Sequence, residues 1–545
     1  MEDFSLLYPS GKKPDCQTLS EDTINSLSLD TILDYISESE AEKKTLRRMM
    51  MNLECDPAVI RYRCDIFDDL MNYPELREKL KDMLEQLDFL SSVKKNYQDD
   101  TDTPLWQLID RLQELEVYVK CISGLNQALA DTNVKSAGLK QMKKYVSSVF
   151  NESGFDQLSA DINDMVSETA EIRSVSLGVN LDSRLRPVEV GIVSINRDRF
   201  WRTGIFSRFF KFASKKNELL GGSSFDGMAK MHTVGTSAED SPLMNNLRRV
   251  VSEMLGSTVK HLKTKLSRYV NISGYGLTKL IPDLLFYIRW TEFCTKVRNT
   301  GLPVSKPMIL DIGRKTLKSK GIYDIKLALQ ILKGKNIDII TNDFEFTDNH
   351  GIYIMTGPNR GGKTTFTQAV GLLFLLAQHG IYVPAESLSL SPCDNILTHF
   401  PADENQTVNL GRLGEESKRL SEIFATATDK SLLLFNESLA TTSFTEGLYI
   451  AKDVVKALRF LGARTIFNTH MHELAMELDT MNSLEGDLRV ASLITGIHEG
   501  QRSYKVFIAP PEGVSYARDI AEKYGVSFTQ LRDSISCKTQ MKNSA

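Results

Sequence analysis

Apolar residues recur at steps of three and four through most of the first 170 positions, as at Ile60, Cys64, Phe67 and Met71, so each helix there buries one face. Glycine is sparse in this stretch, and residues 1–172 read as a helical scaffold. At Val175 the period drops to two. Val175, Leu177, Val179 and Leu181 alternate with other residues, a turn follows at 183–187, and Val188, Val190 and Ile192 alternate again, which predicts a small β insertion over 173–244. Its distal part, 215–242, is rich in glycine and serine and reads as a mobile loop. Helical periodicity resumes over 245–320. From 321 to 535, short apolar runs bounded by glycine alternate with helical segments, the signature of a parallel α/β sheet. Residues 536–545 are a polar tail.

The chemistry concentrates in that last region. Gly351-Ile-Tyr-Ile-Met-Thr-Gly357-Pro358-Asn359-Arg360-Gly361-Gly362-Lys363-Thr364-Thr365 is an apolar strand entering a G-x-x-x-x-G-K-T loop and then a helix. Glycines let backbone N–H groups turn inward around phosphate oxygens, and the helix directs its positive end at the same point. Lys363 is expected on the outer phosphates, and Thr364 offers a hydroxyl to Mg²⁺. A second strand, Ser431-Leu-Leu-Leu-Phe-Asn436-Glu437, ends where such sites keep two acids, one for the metal and one for the attacking water. Asn436 stands at the metal side, reaching the ion through water without bringing charge, so turnover is expected to be slow; Glu437 is the candidate catalytic group. A third strand, Thr465-Ile-Phe-Asn468, leads to Thr469-His470, which places His470 as a γ-phosphate sensor. The His470-Met-His472-Glu473 cluster has no third ligand at zinc spacing.

Charge and composition narrow the partners. The 545 residues carry 66 Lys+Arg against 70 Asp+Glu, which argues against coating of nucleic acid by the whole chain. Locally the balance reverses: Arg197–Lys216 holds seven basic residues against Asp198, interleaved with Phe200, Trp201, Phe206, Phe209, Phe210 and Phe212. Arg197, Arg199, Arg202, Arg208 and Lys211 are candidate DNA contacts. The competing reading makes the aromatics the core of the small domain and the charges its solvated surface. Seven scattered cysteines without a C-x-x-C pair point away from disulfides and structural zinc. The longest apolar run, Ala369–Ala377, is too short to span a bilayer, and the acidic start does not read as a signal peptide. A cytoplasmic protein without a membrane partner is expected.

Thr356-Gly-Pro-Asn-Arg-Gly-Gly-Lys-Thr-Thr365 resembles the phosphate loop of the MutS family of DNA mismatch repair ATPases, whose usual form is T-G-P-N-M-G-G-K-S-T. Asn342-Asp343 resembles the N-D pair before that loop, and Asn436-Glu437-Ser-Leu-Ala-Thr-Thr-Ser443 the D-E-x-G-R-G-T-S segment. Thr469-His470 with Glu473-Leu474 is similar to T-H-x-x-E-L, and Gly513-Val-Ser-Tyr-Ala517 to G-x-x-x-S-Y-G. Ala58–Leu70 resembles the family's core-domain helix, and Leu410–Ser417, with Arg412, approximates its trans-acting segment.

The resemblance implies an α+β multidomain chain: an α-helical core and lever with a small β clamp, then an ABC-like P-loop α/β ATPase domain. It further implies ATP and Mg²⁺ as cofactors, a clamp-like homodimer, and mismatched, branched or ordinary double-stranded DNA as partner, in repair or recombination. The chain begins at the core domain, so the mismatch-reading and connector domains are expected to be missing. The rival reading is a non-catalytic scaffold in which ATP locks a dimer onto a protein or ribonucleoprotein; Asn436 favours it. A transporter-type ATPase would carry Leu-Ser-Gly-Gly-Gln, which is missing.

Overall fold

The computed structural model describes residues 4–12, 14, 16–96, 104–170, 174–185, 187–196, 255–347, 349–358, 360–401, 411–439, 443–498, 501–511 and 524–533. These fall into two compact units, essentially 75–133 with 140–281, and 2–74 with 134–139 and 282–545.

The first unit is helical. Helices Pro74–Asn96, Pro104–Ala130, Phe155–Ala170 and Gly256–Leu266 bury Leu80, Leu87, Leu115, Ile122, Leu158, Ile162 and Leu262, the apolar stripes that the three-and-four spacing predicts. A buried carboxylate fixes one corner. Glu114, 3% exposed, accepts hydrogen bonds from the Ser273 hydroxyl at 2.9 Å and the Gly274 amide at 2.9 Å, and from Arg111. The Tyr269 hydroxyl donates to Asp161 at 2.5 Å. The alternating stretch forms an antiparallel hairpin of Ser174–Leu181 and Pro187–Asn196, with Gly178 opposite Gly191. The basic-aromatic tract with its five candidate DNA contacts, and the loop expected to be mobile, lie outside the described residues.

The second unit is built on a six-stranded sheet. Its spatial order is Ile396–His399, Leu432–Asn436, Arg464–Asn468, His350–Thr356, Arg489–His498 and Gln501–Ile508. All neighbours run parallel except the last pair, an antiparallel hairpin. Strands buried on both faces need continuous apolar runs, and Leu432–Phe435 and Ile352–Met355 supply them. On one face Ile352, Ile354, Leu433, Phe435 and Phe467 pack against Val455 and Leu458 of the helix Phe444–Leu461. The helix Lys363–Gln378 is buried nearly all round, as its Leu-Leu-Phe-Leu-Leu run requires. A Cβ at Gly371 would lie 2.5 Å from Leu27 and 2.7 Å from Leu434, so this glycine sets how closely three elements approach. A smaller four-stranded sheet, in the order Met308–Ile309, Ser387–Leu390, Leu317–Ile322 and Asn342–Phe346, belongs to the same unit.

Periodicity groups the first 74 residues with the helical scaffold, whereas in the structure they pack with the sheet. The Thr23 hydroxyl donates to Ile396 O at 3.0 Å, and Gln378 Nε2 donates to Glu54 O and Cys393 O, both at 2.8 Å. Helix Pro57–Asn72 carries Arg63, buried with Glu54 at 3.4 Å, while the exposed Arg61 pairs with Asp311. The segment 282–320 joins this unit too, its helix Ile281–Asn299 burying Leu284, Phe286, Ile288 and Trp290.

Candidate functional site

Three parallel strands end side by side, and their carboxyl ends carry the candidate chemistry. His350–Thr356 leads into the glycine loop, Leu432–Asn436 ends at Asn436 and Glu437, and Arg464–Asn468 ends at Asn468 with His470 just beyond. The loop backbone is left-handed at Arg360 (φ 60°) and Gly362 (φ 89°), and Gly357 has φ 140°. A Cβ at position 357 would lie 2.2 Å from the Thr495 hydroxyl, and one at 361 would lie 2.9 Å from both that hydroxyl and Pro358 O. The glycines are therefore required both for the turn and for contact with the strand behind it.

Lys363 opens the long helix. It is 4% exposed, and its ammonium donates to Gly357 O at 3.0 Å and Pro358 O at 3.1 Å. Burial lowers its pKa, because the charged form lacks solvent; Glu437 opposes that shift. The Thr364 hydroxyl donates to Asn436 Oδ1 at 2.9 Å, and Asn468 Nδ2 donates to the same oxygen at 2.5 Å. Glu437 Oε1 lies 2.8 Å from His470 Nε2, and the hydrogen bond to His470 is the main cause holding the Glu437 carboxyl below its usual range. Thus His470, expected to point at a phosphate, here holds the carboxylate. Glu437 itself sits at φ 52°, its amide bonded to Asn468 O at 2.9 Å.

Of these groups Lys363, Thr364 and Glu437 border a cavity of about 540 Å³, and Asn436 and His470 stand behind Thr364 and Glu437. The loop residues Arg360 to Thr365 and Glu437 line one part of the cavity; Tyr323, Leu327, Ile337 and Ile340 line another, with Asp324, Gln330 and Asp338 beside them. Tyr504 stands between, 46% exposed, its ring edge 3.3 Å from where a Gly362 Cβ would be. Asn342 fixes Tyr504 in place: its Nδ2 donates to Tyr504 O at 3.2 Å and its Oδ1 accepts from Val506 N at 2.8 Å. Asp343 accepts from Gly321 N at 2.8 Å, so the Asn-Asp pair staples the small sheet to the terminal hairpin.

The cavity fits a nucleotide: a loop with no room for a Cβ at Gly357 and Gly361, a buried ammonium, and a largely aliphatic stretch with an aromatic ring. A magnesium ion fits less well. Mg²⁺ is usually held by one or two carboxylates together with phosphate oxygens and waters, but the side chains bonded around Thr364 are two neutral carboxamides, which leaves Glu437 as the carboxylate at the strand ends. Among the described residues no cluster of three or more His, Cys, Asp or Glu could hold a metal. Asn359, the Arg412 side chain and Gly513–Ala517 lie outside the described residues.

Tyr504, Thr495 and Asn468 were not among the residues expected at the site. Asn468 was within reach of sequence reasoning, since it ends an apolar strand as Asn436 does. Tyr504 and Thr495 had no local signal.

The strand order, with the glycine loop at the carboxyl ends of parallel strands, defines an α/β unit with a cavity beside that loop. Residues 353–509 match the family model for MutS domain V, and residues 55–300 match that for the MutS2 N-terminal domain. Both matches are consistent with a MutS-related protein. The DNA mismatch repair protein MutS of Chlorobium chlorochromatii is 40% identical over 149 residues, 27% of this chain and 17% of that protein. DNA mismatch repair protein MutS 2 of Halobacterium salinarum is 34% identical over 143 residues, 26% of this chain and 17% of its own length. MutS of Carboxydothermus hydrogenoformans is 23% identical over 569 aligned positions, covering 98% of this chain and 65% of that protein. The chain thus spans less than two thirds of these relatives. No helix among the described residues is long and apolar enough to cross a membrane.

Proposed function

We propose that this chain binds ATP in the loop-side cavity and uses its occupancy to control engagement of DNA as a homodimer. The observation that carries the reading is the continuity of one cavity from Lys363 and the glycine loop to Tyr323, Ile340 and Tyr504. That shape suits a highly charged triphosphate at one end and a flat apolar base at the other. Loop amides at 357–362, together with Lys363, take the phosphate oxygens in this reading. Lys363 already donates to two carbonyls, so a phosphate offers it a charged acceptor in exchange for neutral ones. Glu437 orients a water for attack on the γ-phosphate, and His470 positions Glu437 through the 2.8 Å contact.

Arg197, Arg199, Arg202, Arg208 and Lys211 are the DNA contacts in this proposal, supported by their charge and aromatic interleaving. Mismatched or branched DNA, in repair or recombination, is the substrate class in this reading; the relatives' names support the mismatch-repair part of it. The test is a binding titration with homoduplex, mismatched and four-way-junction DNA, at two salt concentrations, with and without ATP. ATP should change the affinity for at least one of them. Equal, nucleotide-independent binding to all three refutes the reading. Asn436 favours a second reading, an ATP-locked dimeric scaffold for a protein or ribonucleoprotein. ATP-dependent dimerisation with neither turnover nor DNA affinity distinguishes it.

A further inference from the structure

We propose that the site neutralises ATP with its own side chains in place of a protein-anchored divalent cation: Arg360 supplies the positive charge and the Asn436 carboxamide donates to a phosphate oxygen. This rests on the nucleotide reading above and concerns how the phosphates are held.

Two positions carry the argument: Arg360, which lines the cavity, and Asn436, which is bonded to the lining residue Thr364. Asn436 is 6% exposed and ends a central strand of the parallel sheet. Its Oδ1 already accepts two hydrogen bonds, from the Thr364 hydroxyl and Asn468 Nδ2. A carboxamide oxygen offers about two lone-pair directions, so both are taken. What remains is Nδ2: a donor, which a cation avoids and an anionic oxygen accepts. Asn468 reinforces this. It stands level with Asn436 on the next strand, and its donor end fixes which way the Asn436 amide faces. The remaining carboxylate at the strand ends, Glu437, is engaged by His470.

Arg360 lies within the loop itself, borders the cavity, and has no ion pair among the described residues. Its left-handed backbone (φ 60°) is a conformation that side chains adopt rarely, and a short or β-branched residue would be no easier there. The loop form it resembles has methionine at this position. Relative to that form the loop gains a cation where the facing strand exchanges an acid for an amide. Both changes shift charge the same way: they remove what anchors a metal and add what replaces its charge. A planar guanidinium can take two phosphate oxygens at once, and such charge-assisted pairs are the strong ones. The nucleotide then acts chiefly as an occupancy signal, with slow hydrolysis.

The test is calorimetric titration of the full chain with ATP, in excess EDTA and in excess Mg²⁺. For the native chain the two dissociation constants should agree within about threefold, under ~0.7 kcal/mol. Arg360→Met should weaken binding in EDTA by about tenfold, and Asn436→Asp should make binding Mg²⁺-dependent by a similar factor. Thermal melts establish that both variants are folded, and Arg360→Lys is a milder companion that should retain part of the EDTA affinity. Native binding that collapses in EDTA, or Arg360→Met binding as the native chain does, overturns the proposal while leaving the nucleotide reading intact. No binding in either buffer refutes that reading and this one together.

Discussion

Tyr504 offers the sharpest separation of base recognition from phosphate recognition. Its ring stands beside Gly362, between the phosphate loop and the apolar slot, and its backbone is pinned by Asn342. Stacking of a nucleobase on an aromatic side chain contributes about 1–3 kcal/mol. Tyr504 keeps 46% of its surface exposed, so a stacked base stays partly in solvent and the lower end applies. Tyr504→Ala should therefore weaken ATP by about 1 kcal/mol, roughly fivefold in dissociation constant. Tyr504→Phe should bind as the native protein does, since the hydroxyl is not needed for stacking. Inorganic triphosphate, which has no base, is the control: its competition against a fluorescent nucleotide should be the same in Tyr504→Ala and native protein. If Tyr504→Ala leaves ATP affinity unchanged, or weakens triphosphate as much as ATP, the base does not lie against this ring and the assignment of the two cavity ends fails.

Three further outcomes follow from the same geometry. Glu437→Gln should keep ATP affinity within about threefold while phosphate release falls by about a hundredfold, the scale of a lost general-base role; unchanged release would remove Glu437 from the chemistry. Arg464 is fully buried, donating to Ser391 O, Pro392 O and Lys430 O at 2.7, 2.9 and 3.2 Å over the Phe374 ring. Arg464→Met strands three carbonyls at about 1 kcal/mol each, so chemical denaturation should show a loss of ~3 kcal/mol, and an unmoved midpoint would contradict it. His379 is buried and its pKa falls to about 4, chiefly through desolvation. Its folded value lies below the unfolded one, so stability is full above the ordinary histidine range and declines as pH drops towards 4. The loss through this residue is about 2 kcal/mol by pH ~5. His379→Gln should flatten the pH slope of stability, and a slope unchanged in the variant would refute the assignment. The buried Asp283 and Asp324, whose pKa values are raised by desolvation, act in the opposite direction and are common to both proteins.

How much of this was legible depends on whether the signal is local. The phosphate loop is written in consecutive residues: an apolar run, glycines at fixed offsets, Lys363, then a helix. The strand ending at Asn436 and Glu437 is likewise four apolar residues followed by two polar ones, and the hairpin at 174–196 follows from alternation alone. What periodicity cannot state is the partner of a buried face. Leu29, Ile32, Leu33 and Ile36 announce an amphipathic helix. They do not announce that the first 74 residues belong with a sheet some 300 positions later. Thr495 reaches the loop only because Arg489–His498 lies parallel to His350–Thr356, with Ile494 opposite Thr356. Tyr504 reaches it only because the next strand folds back antiparallel. Register across such separations is set by packing, not by neighbours in sequence.

The backbone shows why local rules fail at this place in particular. Among the described residues, seven other than glycine have positive φ: Ser28, Leu185, Lys315, Arg360, Glu437, Leu439 and Tyr504. Arg360, Glu437 and Tyr504 border the cavity, and Leu439 follows Glu437 by two residues. Left-handed backbone costs a side-chain-bearing residue of order 1 kcal/mol, and it persists only where surrounding packing over-determines it. At Leu439, 1% exposed, burial of the side chain provides that packing; the segment it resembles has glycine there. At Glu437 the compensation comes from the amide bond to Asn468 O and the contact with His470. Propensity alone would place none of these residue types in that conformation. Strain gathered around one cavity therefore marks it as the place where side-chain chemistry outweighs backbone preference, and Arg360 and Tyr504, which line it, are where substitution to glycine should ease the backbone while weakening ATP in calorimetric titration.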